Sequence, residues 1–168
     1  MTTAIHHGDF TDLAKDYAAC RPDYSQTILQ ALLRHTGAST VADVGAGTGI
    51  WSHMLSHAGL HTTAVEPCDE MREEGVRFTA DFGIDWHAGS AETTGLADAS
   101  VDWVTMASSF HWADAPVALK EFHRILKPGG YLIGLFYETN EGGGPPFNTS
   151  KEDIEKFFSS SFKIESLS

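Results

Sequence analysis

Short apolar runs separated by amphipathic stretches fill most of this chain, a pattern of strands alternating with helices. Apolar runs of about five residues are typical of parallel strands that are buried on both faces. Such runs predict strands at residues 40–44, 61–65, 84–87, 101–106 and 131–137. We therefore expect an α/β protein with a doubly wound, mostly parallel sheet.

Helical spacing of apolar residues occupies the stretches between these strands. It predicts helices at residues 10–20, 25–35, 50–58, 68–79, 115–126 and 150–158. Ser25 is a suitable N-cap for the second helix, and Gly37 a suitable stop. The residues expected to face the core are Ile28, Leu29, Leu32 and Leu33 in the second helix, and Met71, Val76 and Phe78 in the fourth.

The length of 168 residues suits one domain. Within it we expect N-terminal cap helices over residues 1–37 and the core sheet over residues 38–138. A short glycine- and proline-rich connector and a C-terminal helix and strand would fill residues 139–168. The alternation of apolar residues over 162–167 predicts a half-exposed sixth strand.

The glycine-rich stretch after the first predicted strand is the strongest candidate for a ligand site. Asp43 is followed by Gly45, Gly47 and Gly49, and helical spacing then resumes at Ile50. A dinucleotide fingerprint, G-x-G-x-x-G, would require its third glycine at position 50. A P-loop is excluded because no Gly-Lys-Ser/Thr follows.

An acidic residue ends the second predicted strand. Glu66 lies 21 residues after Gly45 and is followed by Pro67. At this place in an α/β sheet a carboxylate accepts hydrogen bonds from both ribose hydroxyls of a nucleotide. Glu66 alone does not identify the nucleotide, since every cofactor with a free ribose diol offers the same two hydroxyl donors, but the glycine spacing departs from the dinucleotide fingerprint.

The formal net charge of −12 and the pI near 5.0 oppose binding to nucleic acid and to anionic membranes. Two cysteines, Cys20 and Cys68, make no disulfide framework, and the first residues lack the features of a signal peptide. We therefore expect a cytoplasmic protein. His53 and His57 have metal-ligand spacing, but H-E-x-x-H is absent and no third ligand is evident, so we expect no metal site.

Several motifs together resemble the class I S-adenosylmethionine-dependent methyltransferases, in particular the type 11 small-molecule group. Asp43 to Gly49 resembles their motif I, and Lys127-Pro128-Gly129-Gly130 their motif III. Tyr17-x-x-x-Arg21-Pro22-x-Tyr24 resembles their N-terminal signature. Ser90-Ala91-Glu92 resembles their loop beside adenine, and Phe110-His111-Trp112 the loop that meets cofactor and acceptor.

The resemblance implies S-adenosyl-L-methionine as cofactor and S-adenosyl-L-homocysteine as product. The residues it places around the cofactor are Tyr17, Arg21, Asp43, Gly45, Ala46, Gly47, Thr48, Gly49, Glu66, Pro67, Met71, Ala91, Glu92 and Ser108. Those it places around a small-molecule acceptor are Phe110, His111 and Trp112. His111 is a candidate general base or a positioning residue.

Members of this family close their sheet with an antiparallel seventh strand, for which this chain has no sequence left. The fifth strand, 131–137, would then have an open edge, which is an aggregation hazard. We expect residues 162–167 or a second subunit in a homodimer to cover it. Two other functions stay open: a cofactor-binding module without turnover, and an NAD-dependent oxidoreductase.

Overall fold

The computed structural model of the protein describes residues 25–134, 151–159 and 162–164. These residues form five strands and five α-helices, in the order that the sequence predicts. The strands are β1 (Thr40–Val44), β2 (His61–Val65), β3 (Asp85–His87), β4 (Val101–Thr105) and β5 (Leu126–Ile133). The helices are α1 (Gln26–Thr36), α2 (Ile50–His57), α3 (Asp69–Phe78), α4 (Ala115–Ile125) and α5 (Lys151–Phe158).

All five strands are parallel and lie in the order β3-β2-β1-β4-β5. The chain moves outward from β1 through β2 to β3, and then returns to the other side of β1 with β4 and β5. The crevice between β1 and β4 is therefore the switch point at which ligands bind in open α/β sheets. This confirms the predicted doubly wound fold.

Alternate residues of the strands supply two apolar layers, one on each face of the sheet. Val41 and Trp103 pack with Leu29 and Leu55 on the face covered by α1 and α2. Val44 and Val104 pack on the opposite face, in a cluster that includes Phe122 and Ile125 of α4. The continuous apolar character of β1 and β4 follows from this burial on both sides.

Hydrogen bonds and one partly exposed ion pair join β1, β4 and β5 at the amino end of the sheet. Asp102 on β4 accepts hydrogen bonds from the backbone N–H and hydroxyl groups of Ser39 and Thr40, at 2.9–3.0 Å. Lys127 Nζ of β5 donates to the other carboxylate oxygen at 2.9 Å. Burial favours the protonated form of Asp102, but these donors together lower its pKa well below the usual range.

The predicted ends of α1 are confirmed. The Ser25 hydroxyl accepts from the Ile28 N–H at 3.4 Å, and Gly37 terminates the helix with φ of +65°. Three predicted core positions are wrong: Ile28, Val76 and Phe78 are each nearly half exposed. Gly75 instead lies on the buried face of α3, where Trp86 of β3 occupies the space a side chain would need.

The fifth strand differs from its prediction in position and burial. The sequence predicts this strand at residues 131–137, but α4 passes directly into a strand that begins at Leu126. Lys127 to Gly130 form an irregular bulge, because Val101 pairs with Leu126 and Trp103 with Tyr131. Tyr131, Leu132 and Ile133 are half-buried rather than buried, since β5 has only β4 as a neighbour in the described part of the sheet. Residues 135–137 lie outside the described residues.

Only part of the predicted C-terminal helix and strand falls on residues that the structure describes. Helix α5 has the expected position, but Phe162 to Ile164 form no strand, so the predicted sixth strand is wrong over these residues. Residues 165–167 lie outside the described part, and the cover of β5 by a second subunit stays a prediction. No helix of the described residues is both long and apolar enough to cross a bilayer.

Candidate cofactor site

A solvent-open cleft lies at the carboxyl ends of β1, β2, β3 and β4. Its walls come from the loops after these strands, as expected for the switch point of an α/β sheet. The lining residues are Asp43, Gly45, Ala46, Gly47, Thr48, Ile50, Trp51, Glu66, Pro67, Cys68, Met71, Ser90, Ala91, Glu92, Met106, Ala107, Ser108, Ser109, Trp112 and Ala113.

The glycine loop turns sharply away from the end of β1. Gly45 and Gly47 have φ values of +67° and +58°, which L side chains rarely adopt. The backbone N–H groups of Gly45 and Ala46 donate to the Val65 carbonyl at 2.8 and 3.1 Å, which ties the loop to β2. A Cβ on Gly45 would lie 2.6 Å from Ser109 Oγ, so only glycine fits against the loop after β4.

The Glu66 carboxylate is held beside this loop by two backbone donors. Oε2 accepts from Gly47 N–H at 2.8 Å, and Oε1 accepts from Cys68 N–H at 2.9 Å. The residue is 7% exposed and lines the cleft. A fixed, nearly buried carboxylate of this kind suits a pair of hydroxyl donors.

Asp43 lies beneath the loop in a buried polar network. Ser52 Oγ donates to its carboxylate at 2.5 Å and Thr105 Oγ1 at 3.4 Å, while Trp51 Nε1 donates to Thr105 Oγ1 at 3.2 Å. Burial raises the pKa of Asp43 to about 7, although the two hydroxyl donors oppose the shift. The network joins β1, α2 and β4 directly under the cleft.

One buried polar atom of the loop has no hydrogen-bond partner among the described residues. Thr48 Oγ1 is almost fully inaccessible, on a residue that is 1% exposed and lines the cleft. Leaving a buried hydroxyl without a hydrogen bond costs about 1–3 kcal/mol. A polar ligand group in the cleft would remove that cost.

The loop after β3 connects the cleft to the start of α4. Ala91 is buried and lines the cleft, whereas Glu92 Oε1 accepts a hydrogen bond from the Asp114 backbone N–H at 2.8 Å. Asp114 is the N-cap of α4, with its side chain accepting from Val117 N–H. Glu92 therefore positions the loop that precedes α4 in addition to lining the cleft.

The loop after β4 supplies the other wall. Ser108 has φ of +58°, a conformation that costs a non-glycine residue energy and that is concentrated at functional sites. Trp112 lines the cleft, but Phe110 and His111 are not among the lining residues. Phe110 packs on Phe158 of α5, and the ring of His111 lies 4.9 Å from that of Trp112.

Most of the predicted cofactor residues thus converge on one cleft. Gly49 is not among its lining residues; a Cβ there would lie 2.9 Å from the Trp86 ring. Tyr17 and Arg21 lie outside the described residues. No three potential metal ligands gather anywhere in the described part of the chain, and His53 packs on the rings of Phe78 and Phe82.

The lining residues outside the predicted cofactor and acceptor sets are Ile50, Trp51, Cys68, Ser90, Met106, Ala107, Ser109 and Ala113. Ser90 belongs to the loop that the resemblance places beside adenine. Met106, Ala107 and Ser109 immediately follow β4, so the strand-end rule alone would have found them. Nothing in the sequence around Trp51 predicts that it lines the cleft, because its position depends on how α2 packs beside β4.

Comparison with known proteins agrees with this geometry. Residues 42–134 match a family described as a methyltransferase domain. The chain is 39% identical over 100 residues to the ubiquinone/menaquinone biosynthesis C-methyltransferase UbiE of Rubrivivax gelatinosus, covering 59% of this chain and 39% of that protein. It is 36% identical over 141 residues to the uncharacterized methyltransferase-like protein C25B8.10 of Schizosaccharomyces pombe, covering 80% and 53%.

Among solved structures, the YcgJ protein of Bacillus subtilis is similar, with a TM-score of 0.56 and 25% identity over 64% of this chain and 49% of that chain. The chain spans about half the length of the relatives it matches, or less. The family match covers more than half of the chain and contains the glycine loop, the acid after β2 and the loop after β4. This chain belongs to the class I S-adenosylmethionine-dependent methyltransferases, as a member of the methyltransferase domain family.

Proposed function

We propose that the chain binds S-adenosyl-L-methionine in the cleft and transfers its methyl group to a small-molecule acceptor, releasing S-adenosyl-L-homocysteine. The observation that carries the proposal is the Glu66 carboxylate, 7% exposed and fixed between two backbone N–H donors at the cleft wall. Family membership gives the methyl donor, and Glu66 gives a specific place for its ribose.

The residues of the cleft fit this cofactor by their own chemistry. The unpartnered Thr48 hydroxyl and the open space beside Gly47 accommodate polar groups laid against the loop. Buried Ala91 and Met71 offer apolar contacts for a flat base. We assign the remaining predicted contacts, Pro67, Glu92 and Ser108, to the same site, with Tyr17 and Arg21 as predicted contacts of the methionine end.

The sulfonium group of the cofactor supplies an electrophilic methyl group when bound, so the protein has mainly to align the acceptor and exclude water. Such alignment is worth about 7–11 kcal/mol of a barrier. A general base must lie within hydrogen-bond reach of the proton it removes. Since the His111 ring lies against that of Trp112 at an interplanar angle of 44° and does not line the cleft, we assign it a positioning role.

The test is calorimetric titration of the full chain with S-adenosylmethionine. Glu66→Gln fills the same space but replaces one acceptor oxygen by a donor, so it should weaken binding at least tenfold, or about 1.4 kcal/mol. Glu73→Gln is the matched control, because Glu73 is an exposed carboxylate on α3 that does not line the cleft. Equal affinity of the Glu66→Gln variant and the wild type would contradict the proposed site.

Two other readings make different predictions. A nicotinamide-dependent oxidoreductase should bind NAD in the same titration, and family membership argues against it. A binding module without turnover should bind the cofactor but consume none in a screen of acceptors. The cytoplasmic location and the homodimer stay predictions from sequence.

A further inference from the structure

The part of the cleft lined by the loop after β4 differs in polarity and charge from the part lined by Glu66. We call it the β4 wall and define it by Trp51, Met106, Ser108, Ser109, Trp112 and Ala113. Two indole rings and a thioether dominate it, with two serine hydroxyls as its polar groups. None of these six residues carries a charge, whereas Glu66 and Glu92 line the other side.

Charge limits the molecules that this wall would accept. No Lys or Arg occurs among the described residues that line the cleft, so an anion would face carboxylates without a compensating cation there. Partial burial lowers the pKa of the nearby His111 imidazole, which disfavours its charged form. An uncharged molecule therefore loses the least hydration free energy on binding in this part of the cleft.

The Trp112 indole lies at the mouth of the cleft, on a loop that backbone hydrogen bonds fix. Its side chain is 42% exposed although it lines the cleft. The loop is closed by hydrogen bonds from Trp112 N–H to the Ser109 carbonyl at 3.0 Å and from Ala113 N–H to the Phe110 carbonyl at 3.1 Å. The His111 ring, 4.9 Å from the indole, supports it from the side.

Resting on the proposed function, we propose that the acceptor is an uncharged molecule with a flat aromatic ring, and that this ring stacks on Trp112. Stacking on an exposed indole gains dispersion and quadrupole energy beyond simple burial, and only a flat ring gains it fully. Ser109 Oγ, which donates to the Val44 carbonyl at 3.4 Å, can still accept a hydrogen bond from a polar substituent of the ring.

Three probes of similar size separate shape from charge. 2-Naphthol is flat and neutral, decahydro-2-naphthol is neutral but not flat, and 2-naphthoate is flat but anionic. Each is titrated by calorimetry into the full chain saturated with S-adenosylhomocysteine, so that no methyl transfer occurs. We expect 2-naphthol to bind at least about tenfold more tightly than either of the other two.

Variants of Trp112 test whether this residue is responsible for the binding of 2-naphthol. Trp112→Leu should weaken 2-naphthol binding about tenfold, while Trp112→Phe, which keeps a ring, should stay within about threefold of the wild type. Phe82→Leu removes a comparably exposed ring that does not line the cleft, and should change nothing. Retained S-adenosylhomocysteine affinity shows that each variant is folded.

The proposal is overturned if the anionic or the saturated probe binds as tightly as 2-naphthol. It is equally overturned if Trp112→Leu has no effect, or if 2-naphthol fails to bind the cofactor-loaded chain. Failure to bind S-adenosylhomocysteine in the first titration would instead reject the proposed function, so the two failures are distinct.

Discussion

Asp43 shows how one buried side chain ties the stability of the protein to pH. It lies under the glycine loop, where burial raises its pKa from 3.8 to about 7. Between these two values the folded protein holds a proton that the unfolded chain has released. Stability therefore falls as pH rises through this window, by at most about 1.4 kcal/mol per pH unit.

The first prediction is that Asp43→Asn flattens this dependence, because the amide cannot ionise. Denaturant unfolding at several pH values between about 4 and 7 measures it. The lowered pKa of His111 makes stability rise with pH below its usual pKa, the opposite direction, so the wild-type and variant curves are compared by difference. Parallel curves across the window would show that Asp43 does not titrate there.

The second prediction separates two roles of His111. His111→Phe keeps a ring beside Trp112 but removes the proton acceptor, whereas His111→Ala removes both. For a positioning residue we expect His111→Phe to retain kcat within about threefold and His111→Ala to raise the acceptor KM. If His111 is instead a general base, both variants should lower turnover about 10²–10⁴-fold and change the pH profile.

At the scale of elements, Trp86 of β3 sets how closely α3 and the glycine loop pack. A Cβ added at Gly75 would lie 2.2 Å from the indole, and one at Gly49 would lie 2.9 Å from it. The indole is fixed by its Nε1–H, which donates to Thr79 Oγ1 at 3.0 Å. Glycine is therefore required in the middle of a helix, where it would ordinarily be unfavourable.

The third prediction is that Gly75→Ala destabilises the protein by about 1–3 kcal/mol, because overpacking outweighs the gain in helix propensity. In a Trp86→Leu background the clash is gone, and the same substitution should become neutral or stabilising. A double-mutant cycle by thermal or denaturant unfolding measures the coupling. Equal effects in both backgrounds would show that Trp86 is not the obstacle.

At the scale of the whole molecule, the cleft joins elements that are far apart in sequence. Loops after β1, β2, β3 and β4 all contribute to it, so a ligand bound there contacts most of the described sheet through its strand ends. Unfolding any of these strands removes the site. Cofactor binding and global folding are therefore coupled.

The fourth prediction follows from this coupling. S-adenosylmethionine at about 100 times its Kd should stabilise the fold by about 2.7 kcal/mol, seen as a rise in Tm. The rise should be much smaller in the Glu66→Gln variant at the same concentration, and unchanged in Glu73→Gln. An equal rise in all three proteins would place the stabilising ligand elsewhere.

Sequence alone determined what depends on local backbone chemistry. Gly45, Gly47 and Glu66 were found by spacing, because a sharp turn after a buried strand requires positive φ and the strand ends of a parallel sheet meet at one edge. The order of helices and strands followed from apolar periodicity for the same local reason.

Only the tertiary structure decided which side chains meet across elements. Periodicity placed Val76 and Phe78 in the core, but Gly75 faces it because Trp86 fills the space. Trp51 lines the cleft because α2 packs beside β4. Phe110 packs on Phe158 of α5, whereas Trp112 lines the cleft. Such contacts arise from the packing of distant segments, and no spacing within one segment encodes them.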